Sequence, residues 1–168
     1  AAVPAAPQNS STAAMEYRDL GKTGMKVSAV SFGVMTLTGP AVLFKALDLG
    51  IIDRVGANAG QEVADADLVL IATPVGQMPE IMARIAPYLG AQTLVTDGGS
   101  TKEDVVAAAR LLFGDRIGQF VPAHPIAGAE NSGAAAARAD LYREKKVVLT
   151  PLPDNSVLNV SRVRSAWE

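Results

Sequence analysis

The sequence predicts an α/β fold in which helices flank an open, mostly parallel, Rossmann-like sheet. Short continuous apolar runs such as Leu68 to Ala72 alternate with segments whose apolar residues recur at helical spacing. The hydrophobic fraction is 49% but only 5% of the residues are aromatic, so the core must consist mainly of Ala, Val, Leu and Ile, which suits helices packed on a parallel sheet. A chain of 168 residues holds one such domain.

Composition narrows the classes of partner and of chemistry. The formal net charge is −2 and the two signs are interspersed, so we expect a small-molecule ligand and no binding to nucleic acid or to an anionic membrane. With no cysteine and a single histidine, we expect no disulfide, no iron–sulfur cluster and no metal site. No apolar run approaches about 18 residues and no signal peptide is indicated, so we expect a cytoplasmic protein.

The first part of the chain is predicted to be a leader followed by a hairpin. Ala1 to Ala14 contains Ala, Pro, Ser and Asn without a period, so we expect a flexible leader that carries no function. A turn at Gly21 to Gly24 predicts a hairpin that runs into a strand centred on Val27 to Val34. Pro40 is well placed to begin a helix that ends at Gly50.

The remaining elements are predicted to alternate between strands and single helices. Leu68 to Ala72 is apolar throughout, which is typical of a strand buried on both faces. Ser100 and Glu103 have the spacing of a capping box, which predicts the start of a helix. The predicted strands are Leu68 to Ala72, Thr93 to Thr96, Gln119 to Ala123 and Val147 to Thr150. The predicted helices are those from Pro79 to Gly90, from Ser100 to Gly114, from Ala134 to Tyr142 and after Ser156.

Three loops that directly follow predicted strands share a composition suited to ligand binding. They are Thr73 to Gly76, Asp97 to Ser100 and His124 to Gly128. In open parallel sheets, ligands bind beyond the carboxyl ends of the strands, and small residues there allow the backbone to approach a ligand closely. The sequence therefore predicts a pocket at this edge, with Ser100 and His124 supplying a hydroxyl and an imidazole.

The polar residues at this edge each have two interpretations. His124 could accept a proton from a substrate hydroxyl, or it could be a structural histidine held by backbone carbonyls. Ser100 could contact a ligand, cap the following helix, or do both. Asp97 is expected to be a turn former rather than a catalytic residue, and Lys102 to be solvated rather than to bind a ligand. Arg138, Arg143, Lys145 and Lys146 are expected to be surface charges, one of which could meet a substrate carboxylate.

Several segments together resemble prephenate and arogenate dehydrogenases, the enzymes that make tyrosine or its precursor. They are ADADLVLIATPVGQ (Ala64 to Gln77), VTDGGSTKEDVV (Val95 to Val106), QFVPAHPIAGAENSG (Gln119 to Gly133) and ADLYREKKVVLTPLP (Ala139 to Pro153), in family order and at family spacing. FKALDLGIID (Phe44 to Asp53) also resembles the family's stretch after its second strand. The resemblance covers Phe44 to Glu168, about three quarters of the chain.

The resemblance implies an oxidative decarboxylation of prephenate or arogenate with hydride transfer to NAD or NADP. His124 matches the family's catalytic histidine, which takes the proton of the ring hydroxyl as the hydride leaves for the nicotinamide. Ser100 matches a serine that orients this histidine. The resemblance implies that the cofactor lies against Ala72, Thr73, Pro74, Val75 and Gly99, and the substrate against Ser100, His124 and Gly128.

The sequence departs from the family pattern at its start. It contains no G-x-G-x-x-G turn, so we expect a sheet that is incomplete at the dinucleotide-loop unit and weak cofactor binding. In its place, MEYRDLGKTGMKVSAVSFGVMTL (Met15 to Leu37) resembles the opening hairpin and first barrel strand of aldo-keto reductases. We therefore interpret residues 15–168 as one chimeric domain, foreign over 15–39 and dehydrogenase-like over 40–168, in which Val27 to Val34 takes the position of a missing strand. We also expect the family's C-terminal helical dimerisation domain to be missing.

Two hypotheses about function follow, and a third fails. The first is a prephenate dehydrogenase-like oxidoreductase with impaired activity, and the second is a non-catalytic α/β remnant that forms a homodimer through its open sheet edge. The missing glycine loop favours the second, whereas Ser100 and His124 favour the first. A complete aldo-keto reductase is excluded, because the chain is too short for an eight-stranded barrel.

Overall fold

The computed structural model describes residues 18–19, 26–27, 30–31, 47–50, 54–56, 58–128 and 140–168. Two short pairings precede the main sheet. Strands β1 (Arg18–Asp19) and β2 (Lys26–Val27) pair antiparallel, which confirms the predicted hairpin. Strand β3 (Val30–Ser31) pairs in parallel with β4 (Arg54–Val55), a strand that its brevity hid from sequence analysis. The predicted leader lies outside the described residues.

The helix predicted to end at Gly50 is described only at its end. Residues 47–48 are helical, the Gly50 amide donates to the Leu47 carbonyl at 2.9 Å, and Gly50 has a φ of +66°. A left-handed residue after the last turn is a common way to end a helix, and glycine adopts this conformation without steric cost. The end of this helix is therefore confirmed, and its beginning lies outside the described residues.

A three-stranded parallel sheet forms the centre of the fold. Its strands are β5 (Leu68–Ile71), β6 (Leu94–Asp97) and β7 (Phe120–Val121), in the order β5-β6-β7. Leu68 lies opposite Leu94, and Thr96 lies opposite Val121. The parallel α/β architecture predicted from the alternating pattern is confirmed.

Four helices have described bounds, and three of them were predicted. They are α1 (Ala59–Val63), α2 (Met78–Ile85), α3 (Glu103–Phe113) and α4 (Val157–Trp167), with 3₁₀ turns at Val75–Gln77, Ala86–Tyr88 and Gly114–Gln119. The unpredicted α1 is capped by the Asn58 side chain, which accepts from the Gly60 amide at 2.9 Å. Ser156 caps α4 as predicted, because its hydroxyl accepts from the Asn159 amide at 3.1 Å.

The predicted capping box at Ser100 is wrong. Helix α3 begins at Glu103 with Lys102 as its N-terminal flanking residue and without a side-chain cap, and Ser100 is exposed. The spacing from Ser100 to Glu103 fits a capping box, but the chain leaves the buried strand through Gly98 and Gly99 before the helix starts. The predicted helix from Ala134 to Tyr142 lies mostly outside the described residues, and residues 140–144 form turns.

The sheet separates two apolar clusters. On one face, α2 and α3 cover the sheet, and the buried side chains of this cluster include Met82, Ile85, Val105 and Phe113 from the helices and Val95 and Phe120 from the strands. On the other face, α4 presents Val163 to Leu94 and Val121. Strand β5 is less covered than its apolar sequence predicted, because Leu70 is 47% exposed. Helix α4 covers the β6 and β7 side of this face, which leaves part of β5 open, so burial of β5 on both faces was a wrong expectation.

The strand predicted from Gln119 to Ala123 is in fact two strands with different partners. Pro122 separates β7 from β8 (Ala123–Pro125), and β8 pairs antiparallel with β9 (Val147–Leu149). Proline has no amide hydrogen to donate to a ladder, so the parallel pairing with β6 stops there. The chain then turns away from the sheet as a two-stranded ribbon, which we call the β8–β9 ribbon. Within the described residues, no helix is long and apolar enough to cross a membrane.

Candidate functional site

The three loops predicted to form a pocket do meet at one edge of the sheet. The Gly98 amide donates to the Ile71 carbonyl at 3.0 Å, which joins the end of β6 to the end of β5. A β-carbon at Gly98 would lie 3.9 Å from Pro125, at the end of β8. One at Gly99 would lie 3.0 Å from atoms of Val75, so the first two loops are in direct contact.

His124 lies on the open face of the β8–β9 ribbon. Side chains alternate between the two faces of a strand, so His124 shares its face with Ile126 and with the opposite residue Val148. His124 is half-buried, while Ile126 is 50% exposed and Val148 is 46% exposed. The Ile126 amide donates to the Lys146 carbonyl at 2.8 Å, which puts Lys146 opposite Ile126 and on the same face. The imidazole therefore lies beside two apolar side chains and a lysine.

The other face of the ribbon is buried, and the edge of β8 that points away from β9 is bound by a charged pair. The Asp97 carboxylate is fully buried and accepts from Lys102 Nζ and, at 2.9 Å, from the Gly99 amide. Its second oxygen accepts from the Ala123 amide at 3.2 Å. Lys102 Nζ also donates to the Ala123 carbonyl at 2.6 Å, and its side chain is only 18% exposed. Both polar backbone groups of the residue before His124 are thus bound by the ion pair.

This pair corrects one expectation and extends another. Lys102 is not solvated as predicted, because it is drawn into contact with Asp97 and the Ala123 carbonyl. The turn role expected for Asp97 is confirmed by its contact with the Gly99 amide. The sequence offered a signal for the pair, since a carboxylate at the end of a buried strand needs a cation nearby, and Lys102 lies five residues on.

Ser100 is exposed, and within the part of the chain that the structure describes no hydrogen bond joins Ser100 to His124. The orienting role implied for Ser100 by the resemblance therefore stays a prediction. Gly128 is exposed, with open space around its α-carbon. Arg143, Lys145 and Lys146 are exposed, as expected for surface charges, and Arg138 lies outside the described residues.

The residues predicted to bind a dinucleotide fit part of one. The hydroxyl of Thr73 is buried and, among the described residues, has no hydrogen-bond partner, so it is available to a polar ligand group. Ala72 and Pro74 are exposed, Val75 is half-buried, and Gly99 is buried against Val75. These groups suit the ribose and nicotinamide end of the cofactor. No glycine-rich turn in the sequence suits the pyrophosphate.

A depression at the opposite edge of the sheet has a structural explanation. It is lined by Ala91, Asp115, Arg116, Gly118 and Gln119. The Gln119 amide group donates to the Gly90 and Thr93 carbonyls at 2.7 Å, and Arg116 donates to the Leu89 carbonyl at 2.8 Å. These contacts tie the loop before β6 to the turn before β7, which accounts for the positions of Gln119 and Arg116 within the fold.

Comparison with protein families gives a match over residues 37–168 to the model described as prephenate dehydrogenase, nucleotide-binding domain. The chain belongs to this family. The match begins where the segment Met15 to Leu37 ends, so the aldo-keto reductase-like origin of that segment stays a prediction. The confirmed part of the resemblance is the dehydrogenase part, and with it the Rossmann-like fold.

Individual relatives agree with the family match. The chain is 35% identical over 124 residues to a cyclohexadienyl dehydrogenase of Zymomonas mobilis, covering 74% of this chain and 41% of that protein. It is 40% identical over 107 residues to a prephenate dehydrogenase of Bacillus subtilis, covering 63% and 29%. A crystal structure of Aquifex aeolicus prephenate dehydrogenase in complex with hydroxyphenyl propionate and NAD⁺ superimposes with a TM-score of 0.73 at 33% identity, covering 86% of this chain and 49% of that one. The chain thus spans less than half the length of these relatives.

Proposed function

We propose that this chain is the nucleotide-binding, histidine-bearing part of an oxidoreductase that oxidises and decarboxylates prephenate or arogenate with NAD or NADP. The single observation that carries the proposal is the position of His124, the only histidine, on the open face of the β8–β9 ribbon at the edge where three strand-end loops meet. Membership of the prephenate dehydrogenase family and the NAD⁺ in a related structure support the same reaction class.

The oxidative decarboxylation requires from the protein a base and a site that orients the substrate ring. His124 accepts the proton of the ring hydroxyl as the carbon that bears this hydroxyl gives up a hydride. The bond between the ring and its carboxylate then breaks, carbon dioxide leaves, and the electron pair of that bond makes the ring aromatic while the ring oxygen takes a proton back. A bound nicotinamide supplies the acceptor for the hydride. A neutral imidazole has a lone pair on one ring nitrogen, and this nitrogen can accept a proton from a substrate hydroxyl.

The surroundings of His124 suit an anionic ring. Ile126 and Val148 offer apolar surface on either side of the imidazole, and burying such surface against a ring is favourable by about 25 cal/mol per Å². Lys146 lies on the same face, opposite Ile126 and two residues along the strand from Val148. From there a long cationic side chain can reach a substrate carboxylate. We assign Ser100 and Gly128 to the binding of the substrate. Thr73 offers its unpaired hydroxyl to the cofactor.

The test is calorimetric titration of the chain with NAD and with NADP, followed by assay of nicotinamide reduction with prephenate and with arogenate. We expect saturable but weak binding, because no glycine-rich turn holds the pyrophosphate. Turnover should disappear in His124→Ala while cofactor affinity stays within about twofold, and Lys145→Ala serves as a control for loss of an exposed side chain. Absence of binding at millimolar NAD and NADP would sink the proposal.

A second function is favoured by one observation, the absence of G-x-G-x-x-G from the sequence. In that case the chain is a folded α/β domain without catalysis. The two candidates differ in the same titration, because a non-catalytic domain shows no saturable heat with either nucleotide and no His124-dependent turnover.

A further inference from the structure

The polar groups behind His124 have no part in the reaction just proposed, yet they are buried, charged and directed at one residue. Asp97 is fully buried and Lys102 nearly so, and each binds a different backbone group of Ala123. Burial of an ion pair is costly, and a pair of this kind is weak evidence for stability. Its contacts suggest a different role.

Ala123 sits where the ribbon has no neighbouring strand. In the β8–β9 ribbon, the Thr150 amide donates to the Pro122 carbonyl at 3.0 Å and the Ile126 amide donates to the Lys146 carbonyl at 2.8 Å. By alternation, Pro122, His124 and Ile126 direct their backbone groups toward β9, where His124 pairs with Val148. The amide and carbonyl of Ala123 therefore point the other way, toward the end of β6. Among the described residues no strand continues there, because β6 ends at Asp97.

Asp97 and Lys102 supply what a neighbouring strand would have supplied. A strand offers each facing residue one acceptor for its amide and one donor for its carbonyl. Asp97 offers the acceptor at 3.2 Å from the Ala123 amide nitrogen, and Lys102 offers the donor at 2.6 Å from the Ala123 carbonyl oxygen. The mutual contact of the two side chains fixes both in that arrangement.

We propose that Asp97 and Lys102 are positioning residues that hold the Ala123–His124 peptide and so set the direction in which the His124 imidazole faces the substrate. The carbonyl that Lys102 binds belongs to the same peptide plane as the His124 amide, so rotation of that plane would swing the imidazole. We call the contacts of Asp97 and Lys102 with Ala123 the clamp. The inference rests on the proposed function only in taking His124 as the proton acceptor, and the clamp can be tested without substrate.

The test uses the ¹⁵N-labelled full chain and two nuclear magnetic resonance measurements, the hydrogen-exchange rate of the Ala123 amide and the imidazole signals of His124. Because the chain has one histidine, the imidazole signals need no further assignment. The variants are Lys102→Met, the double variant Asp97→Leu with Lys102→Met, and Asp97→Asn. Lys145→Met removes an equal charge from an exposed site and is the matched control.

The double variant is decisive, because it leaves no unpaired buried charge and should remain folded. We expect its Ala123 amide to exchange at least about tenfold faster than in the parent chain, and its His124 signals to broaden or split. Asp97→Asn keeps the side-chain shape and should show the same changes at smaller size, which covers the case in which the double variant fails to fold. Lys145→Met should leave both measurements unchanged.

A folded double variant, or a folded Asp97→Asn variant, with parental Ala123 exchange and parental His124 signals would overturn the proposal. Where the parent chain turns over substrate, the clamp further predicts a lower kcat with KM unchanged in Asp97→Asn. If the clamp is found but the parent chain binds neither NAD nor NADP, the proposed function fails and the clamp stands. If turnover is found while exchange and signals are insensitive to the variants, the clamp alone fails.

Discussion

The two faces of the β8–β9 ribbon differ in burial and in how their polar groups are paired, although they belong to the same few residues. On the inner face, Ala123 and Pro125 are buried and both backbone groups of Ala123 are bound by an ion pair. On the outer face, Ile126 and Val148 are about half exposed beside His124, whose imidazole makes no hydrogen bond within the described part of the chain. The backbone groups of Ala123 are therefore hydrogen-bonded within the fold, whereas the side chains of the outer face are accessible to a ligand.

This difference teaches how the backbone of a residue can be fixed while its side chain stays accessible to a ligand. Exposed apolar surface is unfavourable in water, so a fold that leaves it beside a lone histidine gains most when a ligand covers it. Contacts that fix the backbone of Ala123 limit the orientations of the His124 imidazole. Groups that are already in place cost less free energy to order in a transition state. The following variants test this contrast, from the largest expected effect to the smallest.

The largest effect should come from Lys102→Met. It leaves the fully buried Asp97 carboxylate without a cation, and breaking a buried pair in this way typically costs about 3–5 kcal/mol. We expect a loss near the lower figure in urea unfolding, since the Lys102 side chain is 18% exposed. Lys145→Met, at an exposed site, should change stability by less than about 0.5 kcal/mol. Equal losses in the two variants would contradict the buried role of Lys102.

A matched pair of valines tests the contrast in apolar packing. Val121 is fully buried between the sheet and α4, whereas Val148 is 46% exposed on the outer face of the ribbon. Val121→Ala should destabilise the chain by about 2 kcal/mol through lost burial and a residual cavity. Val148→Ala should cost less than about 0.5 kcal/mol in the same unfolding experiment. A large cost at Val148 would mean that the outer face is covered in solution.

A pair of serines separates helix capping from a position beside the ligand. Ser156→Ala removes the hydroxyl that accepts from the Asn159 amide at 3.1 Å and should cost about 1 kcal/mol. Ser100→Ala removes an exposed hydroxyl that caps no helix and should cost a few tenths of a kcal/mol at most. Thermal unfolding of both variants measures the difference. A comparable loss at Ser100 would restore the capping box that the structure contradicts.

The smallest effect on stability should be that of His124→Ala. The imidazole is half-buried on the outer face and makes no hydrogen bond among the described residues, so its loss should change the unfolding free energy by less than about 0.5 kcal/mol. The same variant should lose turnover. A cost of several kcal/mol in chemical unfolding would favour a structural histidine over a proton acceptor.

Much of the fold could be predicted from the sequence, because its signals are local. The apolar runs at β5 and β6, the proline at the start of α2 and the serine before α4 each determine structure within a few residues. The sequence also predicted that the three strand-end loops lie at one edge of the sheet, because the carboxyl ends of parallel strands share an edge. His124 and its neighbourhood were therefore predictable as a region.

What the sequence did not determine depends on residues distant along the chain. The partner of β8 is β9, a segment distant along the chain, and no pattern in Gln119 to Ala123 indicates this antiparallel pairing. The partial exposure of Leu70 depends on where α4 ends its coverage of the sheet. A helical or alternating pattern reports the preference of a segment, not which neighbour covers it.

The sequence by itself determined the fold class, the edge at which the three strand-end loops meet and the family to which the chain belongs. Only the tertiary structure decided that Ser100 caps no helix, and that Lys102 is held at Asp97 and Ala123 rather than in water. The physical reason is that local preference and periodicity are properties of adjacent residues. The pairing of a buried charge is decided by whichever donors and acceptors the folded chain brings within about 3 Å.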